Sequence, residues 1–223
     1  MEGFSGFTPT GSKKTIDEIR AKGREVHATV EKANQAFFSN LSTHWYSPTA
    51  QKFDEAFEPK IYETQEKIIT ELNKIIRSAV QAYNAFASIN EIASIGLEDG
   101  DEYEAVFDQQ NSTYGQYTTL STDKEGAVVM DKAAVATDVA TLRGQYQTAQ
   151  SILDTMPDAV YIYDPNGDIA TAYTTLLTST KASLNTLIND IALATETEMN
   201  LHVDENTTAE GTAAGSFGGG GTA

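Results

Sequence analysis

The sequence predicts a mainly α fold: two antiparallel helical hairpins forming a four-helix-bundle-like body, with a small β-hairpin inserted between them. Three observations predict it. Apolar residues recur at the 3-4 spacing of a helix over four long stretches. Two of the breaks between stretches carry a capping residue followed by proline, Ser47-Pro48 and Asp164-Pro165, a helix-start signal. The 223 residues are 40% apolar and include no cysteine, so packing of such stripes, without disulfides, must hold the chain.

The first stripe is Ile16, Ile19, Gly23, Val26, Val30, Ala33 and Phe37, predicting a helix over about residues 12–40. Asp17, Glu18, Arg20, Lys22, Arg24, Glu25, Glu31 and Lys32 fill its other faces. Residues 39–48 break the pattern. A second stripe then runs through Phe53, Phe57, Ile61, Ile68, Leu72, Ile75, Ala79, Ala82, Phe86 and Ile89. Pro59 is expected to kink this helix and Gly96 to end it. So short a connection makes the two helices antiparallel neighbours.

Residues 98–130 read as an acidic linker, with Tyr117–Ser121 and Ala127–Met130 as the strands of the small hairpin. A third stripe, Val135, Val139, Leu142, Tyr146, Ala149, Leu153 and Met156, stops at Pro157. The fourth is Tyr173, Leu176, Leu177, Thr180, Leu184, Leu187, Ile191 and Ala194. Val160–Tyr163 and Ile169–Tyr173 also fit two strands around a Pro-Asn-Gly turn, and that alternative stays open. Residues 1–97 thus form one helical hairpin, 98–130 the linker and 131–202 a second hairpin. Residues 203–223, without periodicity and Gly-rich, are expected to be a disordered tail. Each narrow seam would leave apolar surface bare, so the hairpins must pack on each other or on a partner. Tyr-Ser-Pro at 46–48 and Tyr-Asp-Pro at 163–165 suggest a duplicated plan.

The net charge of −17 is uneven. Residues 1–97 hold 12 acids and 11 bases, 98–130 hold 8 and 1, and 131–223 hold 12 and 3. Such a balance argues against nucleic acid and anionic membranes as partners, and for a basic partner of the C-terminal half. No window approaches the ~20 apolar residues of a membrane span. The start, Met1-Glu-Gly-Phe, has neither the basic nor the apolar region of a classical signal peptide.

Catalytic residues, metal ligands and cofactor-binding residues are all expected to be absent. His27, His44 and His202 stand alone in sequence, with His27 on the charged flank of the first helix. Asp164, Asn166 and Asp168 have the oxygen spacing of a calcium loop, but Ile169 and Thr175 replace its glycine and closing glutamate. No phosphate loop, nucleophile elbow or zinc-protease motif is present. No carboxylate falls on an apolar stripe, where burial would raise its pKa.

The segment His44-Trp45-Tyr46-Ser47, followed by Ala50, Phe53, Ala56 and Phe57, lies between two amphipathic helices and holds the chain's one Trp. It resembles the bend of WXG100 (ESAT-6-like) proteins, substrates of the bacterial type VII secretion system, over about residues 12–95. Ser47 stands where the motif has Gly. The family's C-terminal Tyr-x-x-x-Asp/Glu signal is matched only by Tyr62–Glu66, in mid-helix. The resemblance implies a helical hairpin that pairs with a second one. This chain, about twice the usual length, would supply both hairpins itself.

The function expected is non-enzymatic and associated with type VII secretion, as a leaderless exported substrate or a helical partner of an effector. His44, Trp45, Tyr46 and Ser47 would carry recognition, with Ile16, Ile19, Val26, Val30, Phe37, Phe53, Phe57, Ile61, Ile68, Leu72 and Ile75 as the packing seam. Partners would be a protein or a second copy met through helical faces, with no nucleic acid, no membrane insertion and no cofactor. The place would be outside the cell, or the cytoplasm before export. The alternative is a structural subunit of a surface array, filament or phage particle. A third reading, a helical sensor binding a small ligand, would need a polar-lined pocket around residues such as Thr180.

Overall fold

The computed structural model describes residues 8–46, 48–97, 129–157 and 168–218. Helix α1 runs Pro9–His44, β1 is Trp45–Tyr46, α2 is Pro48–Ile89, β2 is Val129–Met130, α3 is Lys132–Asp154 and α4 is Asp168–Gly218. The mainly helical expectation holds.

Cross-contacts fix how the helices lie. Gln65 of α2 meets His27 of α1, Tyr146 of α3 meets Asn34, and Asp138 of α3 meets His44. On α4, Glu196 pairs with Arg143 and Asn185 accepts from Gln150, while His202 packs on Phe53 of α2. Thus α1 and α4 each pack on both α2 and α3. Every neighbouring pair is antiparallel, so the chain runs up, down, down, up. The carbonyl of Gly96 accepts from Arg20 near the start of α1, and the N–H of Asp131 donates to the carbonyl of His44 at its end. Those α1 positions lie about 36 Å apart at 1.5 Å per residue. Gly96 and Asp131 therefore lie towards opposite ends of the bundle.

The buried face of α1 is wider than a coiled-coil seam. Ser12, Ile19, Val26 and Ala33 form one heptad row, Ile16, Gly23, Val30 and Phe37 a second, and Arg20, His27, Asn34 and Leu41 a third. A helix with two neighbours needs an apolar arc of more than ~100°. This overturns the placing of His27 and Arg20 on a charged flank: they are 5% and 2% exposed. The helix also starts earlier than expected, with Pro9 at its first turn, where no N–H is needed.

On α2 the expected seam from Phe53 to Ala82 is buried, and Ile69, Ile76, Val80 and Tyr83 widen it. The helix continues through Pro59, which is exposed. Its end is not Gly96. Ile89 is the last helical residue, Glu91 takes a left-handed φ of 53°, and the Ile92 N–H returns to the Ala87 carbonyl. That is a Schellman closure with glutamate in the usual glycine place. Asn84 then holds Ile95 through both its N–H and its carbonyl.

Val129–Met130, expected as one strand of a local hairpin, pairs antiparallel with β1, Trp45 opposite Met130 and Tyr46 opposite Val129. The other expected strand, Tyr117–Ser121, lies outside the described residues, as do Ser47, the Asp164–Asn166 loop and Val160–Tyr163. The region from Ile169 to Tyr173, open to a strand reading, belongs to α4, and the segment expected to be disordered from 203 is helical to Gly218. Val203 still packs against the core, and Lys132 reaches Glu210 at 2.6 Å, so the bundle supports α4 past its last stripe residue.

The third stripe is buried as expected, with Asp131 capping α3 by accepting from the Ala134 N–H at 3.0 Å. The fourth is corrected. Leu177, Thr180, Leu184, Ile188, Ile191, Thr195 and Met199 are buried, whereas Leu176 and Leu187 are half-buried and Ala194 is exposed. Their 3-4-4 spacing is an 11-residue period, about 3.67 residues per turn, which a strict 3-4 reading drifts away from.

Candidate interaction site

The bend between α1 and α2 is where both hairpins meet. Trp45 is 0% exposed. Its ring lies 5.9 Å from that of Phe53 and 5.1 Å from that of His202, and Phe53 stacks on Phe57 at 5.1 Å. Its indole N–H has no acceptor among the described residues. His202 Nδ1 is 3.3 Å from a Glu205 carboxylate oxygen but lacks hydrogen-bond geometry. The bend is clasped from the second hairpin by β2 and by Asp138, which is 6% exposed and whose carboxylate lies 2.6 Å from His44 Nδ1.

The four recognition residues thus have different fates. Trp45 is inside the body, and His44 is half-buried and engaged with Asp138. Tyr46 contributes backbone to the ladder. Its side chain and all of Ser47 lie outside the described residues.

Below the bend runs a row of buried polar groups. Arg20 donates to Asp17 at 3.0 Å and to the Gly96 carbonyl at 3.3 Å. His27 Nε2 lies 3.1 Å from Gln65 Nε2, and its Nδ1 lies 3.8 Å from a Glu31 oxygen. Desolvation pulls the His27 pKa down to about 4, and burial pushes the Glu31 carboxyl up. The Tyr146 hydroxyl donates to Asn34 Oδ1, and its own pKa is driven far up by burial, a rise that the Asn34 bond only partly opposes. Arg20, His27 and Asn34 each have a partner on another element: the Gly96 carbonyl, Gln65 and Tyr146. Among the described residues no three His, Asp or Glu side chains gather as a metal-holding group. No described helix is long and apolar enough to cross a membrane.

On the outer surface a groove of about 760 Å³ lies between α2 and α4. Glu63, Glu66, Lys67 and Glu71 line its α2 side; Ala182, Ser183, Thr186 and Leu187 line its α4 side. Lys67 pairs with Glu63 at 2.7 Å and holds that carboxyl below the usual carboxylate range.

The sequence reading missed Asp138, although it follows Val135 by three and precedes Leu142 by four, placing a carboxylate on the apolar stripe. It also missed that His202 would reach the bend, which follows from α4 running antiparallel to α2. The architecture is that of a four-helix body. No protein-family model matches this chain, and no curated protein or solved structure matches it either.

Proposed function

We propose that this chain is a non-enzymatic helical protein associated with type VII secretion, an exported substrate or a helical partner of an effector. The observation behind the reading is Trp45 at the bend of two long antiparallel helices, with a second hairpin lying along them. In the family the first hairpin resembles, a hairpin pairs with another hairpin; here one chain provides both. The bend then acts through its backbone and through the clasp around Trp45, because the indole itself is covered. The test is to express the tagged chain in a bacterium with a type VII system and assay the culture supernatant. Accumulation that stops when the system is inactivated supports the proposal. Retention in the cell with the system active, and no co-purifying effector, overturns it. Large open assemblies by light scattering would instead favour the structural-subunit alternative.

A further inference from the structure

We propose that the outer groove between α2 and α4 is a docking groove for a basic amphipathic helix of a partner protein. The groove exists because α4 turns Leu184 and Ile188 inward and leaves the small Ala182 and Ser183 outside, opposite long charged side chains of α2. Its floor is apolar at Ala182 and Leu187. Leu193, seven residues beyond Thr186 and so on the same face of α4, is 64% exposed and continues the apolar strip past the groove. From 182 to 193 the strip spans about 17 Å, the length of three helical turns. Two helices side by side offer a trough that takes the ridge of a third, read by apolar anchors a turn apart.

Charge selects the occupant. The groove is lined by Glu63, Glu66 and Glu71 against Lys67. Residues 168–218 carry seven acids and one lysine, Lys181. A second copy would bring the same acidic surface, and like-charge juxtaposition disfavours it. A helix with a Leu-rich stripe and Lys or Arg flanks satisfies both floor and walls, and the field of the acidic half steers it in. The groove lies along the helices, apart from the bend, so this inference does not rest on the secretion proposal.

The test uses the full chain and a fluorescein-labelled amphipathic peptide of about 14 residues, ~21 Å when helical, with Leu on one face and Lys on the other. Fluorescence anisotropy is expected to show saturable binding. Thr186→Arg and Leu193→Ser, both at exposed positions, should each weaken it at least about tenfold. Glu18→Arg, on the exposed side of α1 and a larger charge change, should leave it within about twofold. A peptide with Glu in place of Lys should not bind. No saturable binding, or equal weakening by Glu18→Arg, overturns the proposal. Circular dichroism of each variant separates a lost groove from a lost fold.

Discussion

The third heptad row of α1 buries Arg20, His27 and Asn34, and each is answered from another element: the Gly96 carbonyl, Gln65 and Tyr146. On α4 the buried polar residues are Thr180 and Thr195, and the Thr195 hydroxyl donates back to the Ile191 carbonyl of its own helix. Helix α1 therefore carries polar groups that are satisfied in one register only, since an unpaired buried donor or acceptor costs about 1–3 kcal/mol. Helix α4 carries, in Thr195, a hydroxyl that is satisfied wherever the helix slides. Register and pairing are written mainly on α1, while α4 supplies apolar cover that tolerates change.

The largest effect belongs where the two hairpins meet. Trp45→Ala should cost about 3–5 kcal/mol, measured by urea unfolding, because it empties a site walled by both. Acid comes next. The folded state holds His27 near pKa 4 against a free value of 6.5, so the unfolded chain binds the extra proton between those values. Stability from this group is complete above pH 6.5 and falls as pH drops towards 4, by up to about 3 kcal/mol. Glu31, shifted up, works in the opposite direction and trims the loss. Unfolding midpoints from pH 7 to 4 should slope down, and His27→Gln should flatten that slope.

Tyr146→Phe removes the hydroxyl that donates to Asn34 Oδ1 and should cost about 1–3 kcal/mol, with a double-mutant cycle against Asn34→Leu showing coupling. The smallest effect is Thr195→Val, expected to stay within about 1 kcal/mol because the hydroxyl it removes bonds only within α4. If Thr195→Val costs as much as Tyr146→Phe, the contrast between the polar row of α1 and the buried threonines of α4 is wrong.

Helix positions and the turn at Trp45 were legible because 3-4 periodicity and Ser-Pro punctuation are local signals. The third row of α1 was not. Arg20, His27 and Asn34 look like surface residues until a third helix is placed beside α1, and only tertiary contact does that. The strand at Val129–Met130 is a similar case: two residues suffice when their partner is a distant bend, and no local pattern names that partner. On α4, Ile188 and Met199 were visible as apolar residues, but an 11-residue period hid them from a 7-residue template. At the bend, the sequence identified Trp45 but not what covers it. Asp138 and His202 come from helices whose direction is set by how the two hairpins pack.

The central claim is that the second hairpin covers the apolar faces of the first within one chain. Sedimentation equilibrium of the full-length protein beside a fragment of residues 1–97 tests it most directly. The account predicts a monomeric full chain and a fragment that dimerises or precipitates, its faces at Trp45 and Phe53, which His202 covers in the full chain, left bare. A fragment that stays a soluble, folded monomer would contradict it.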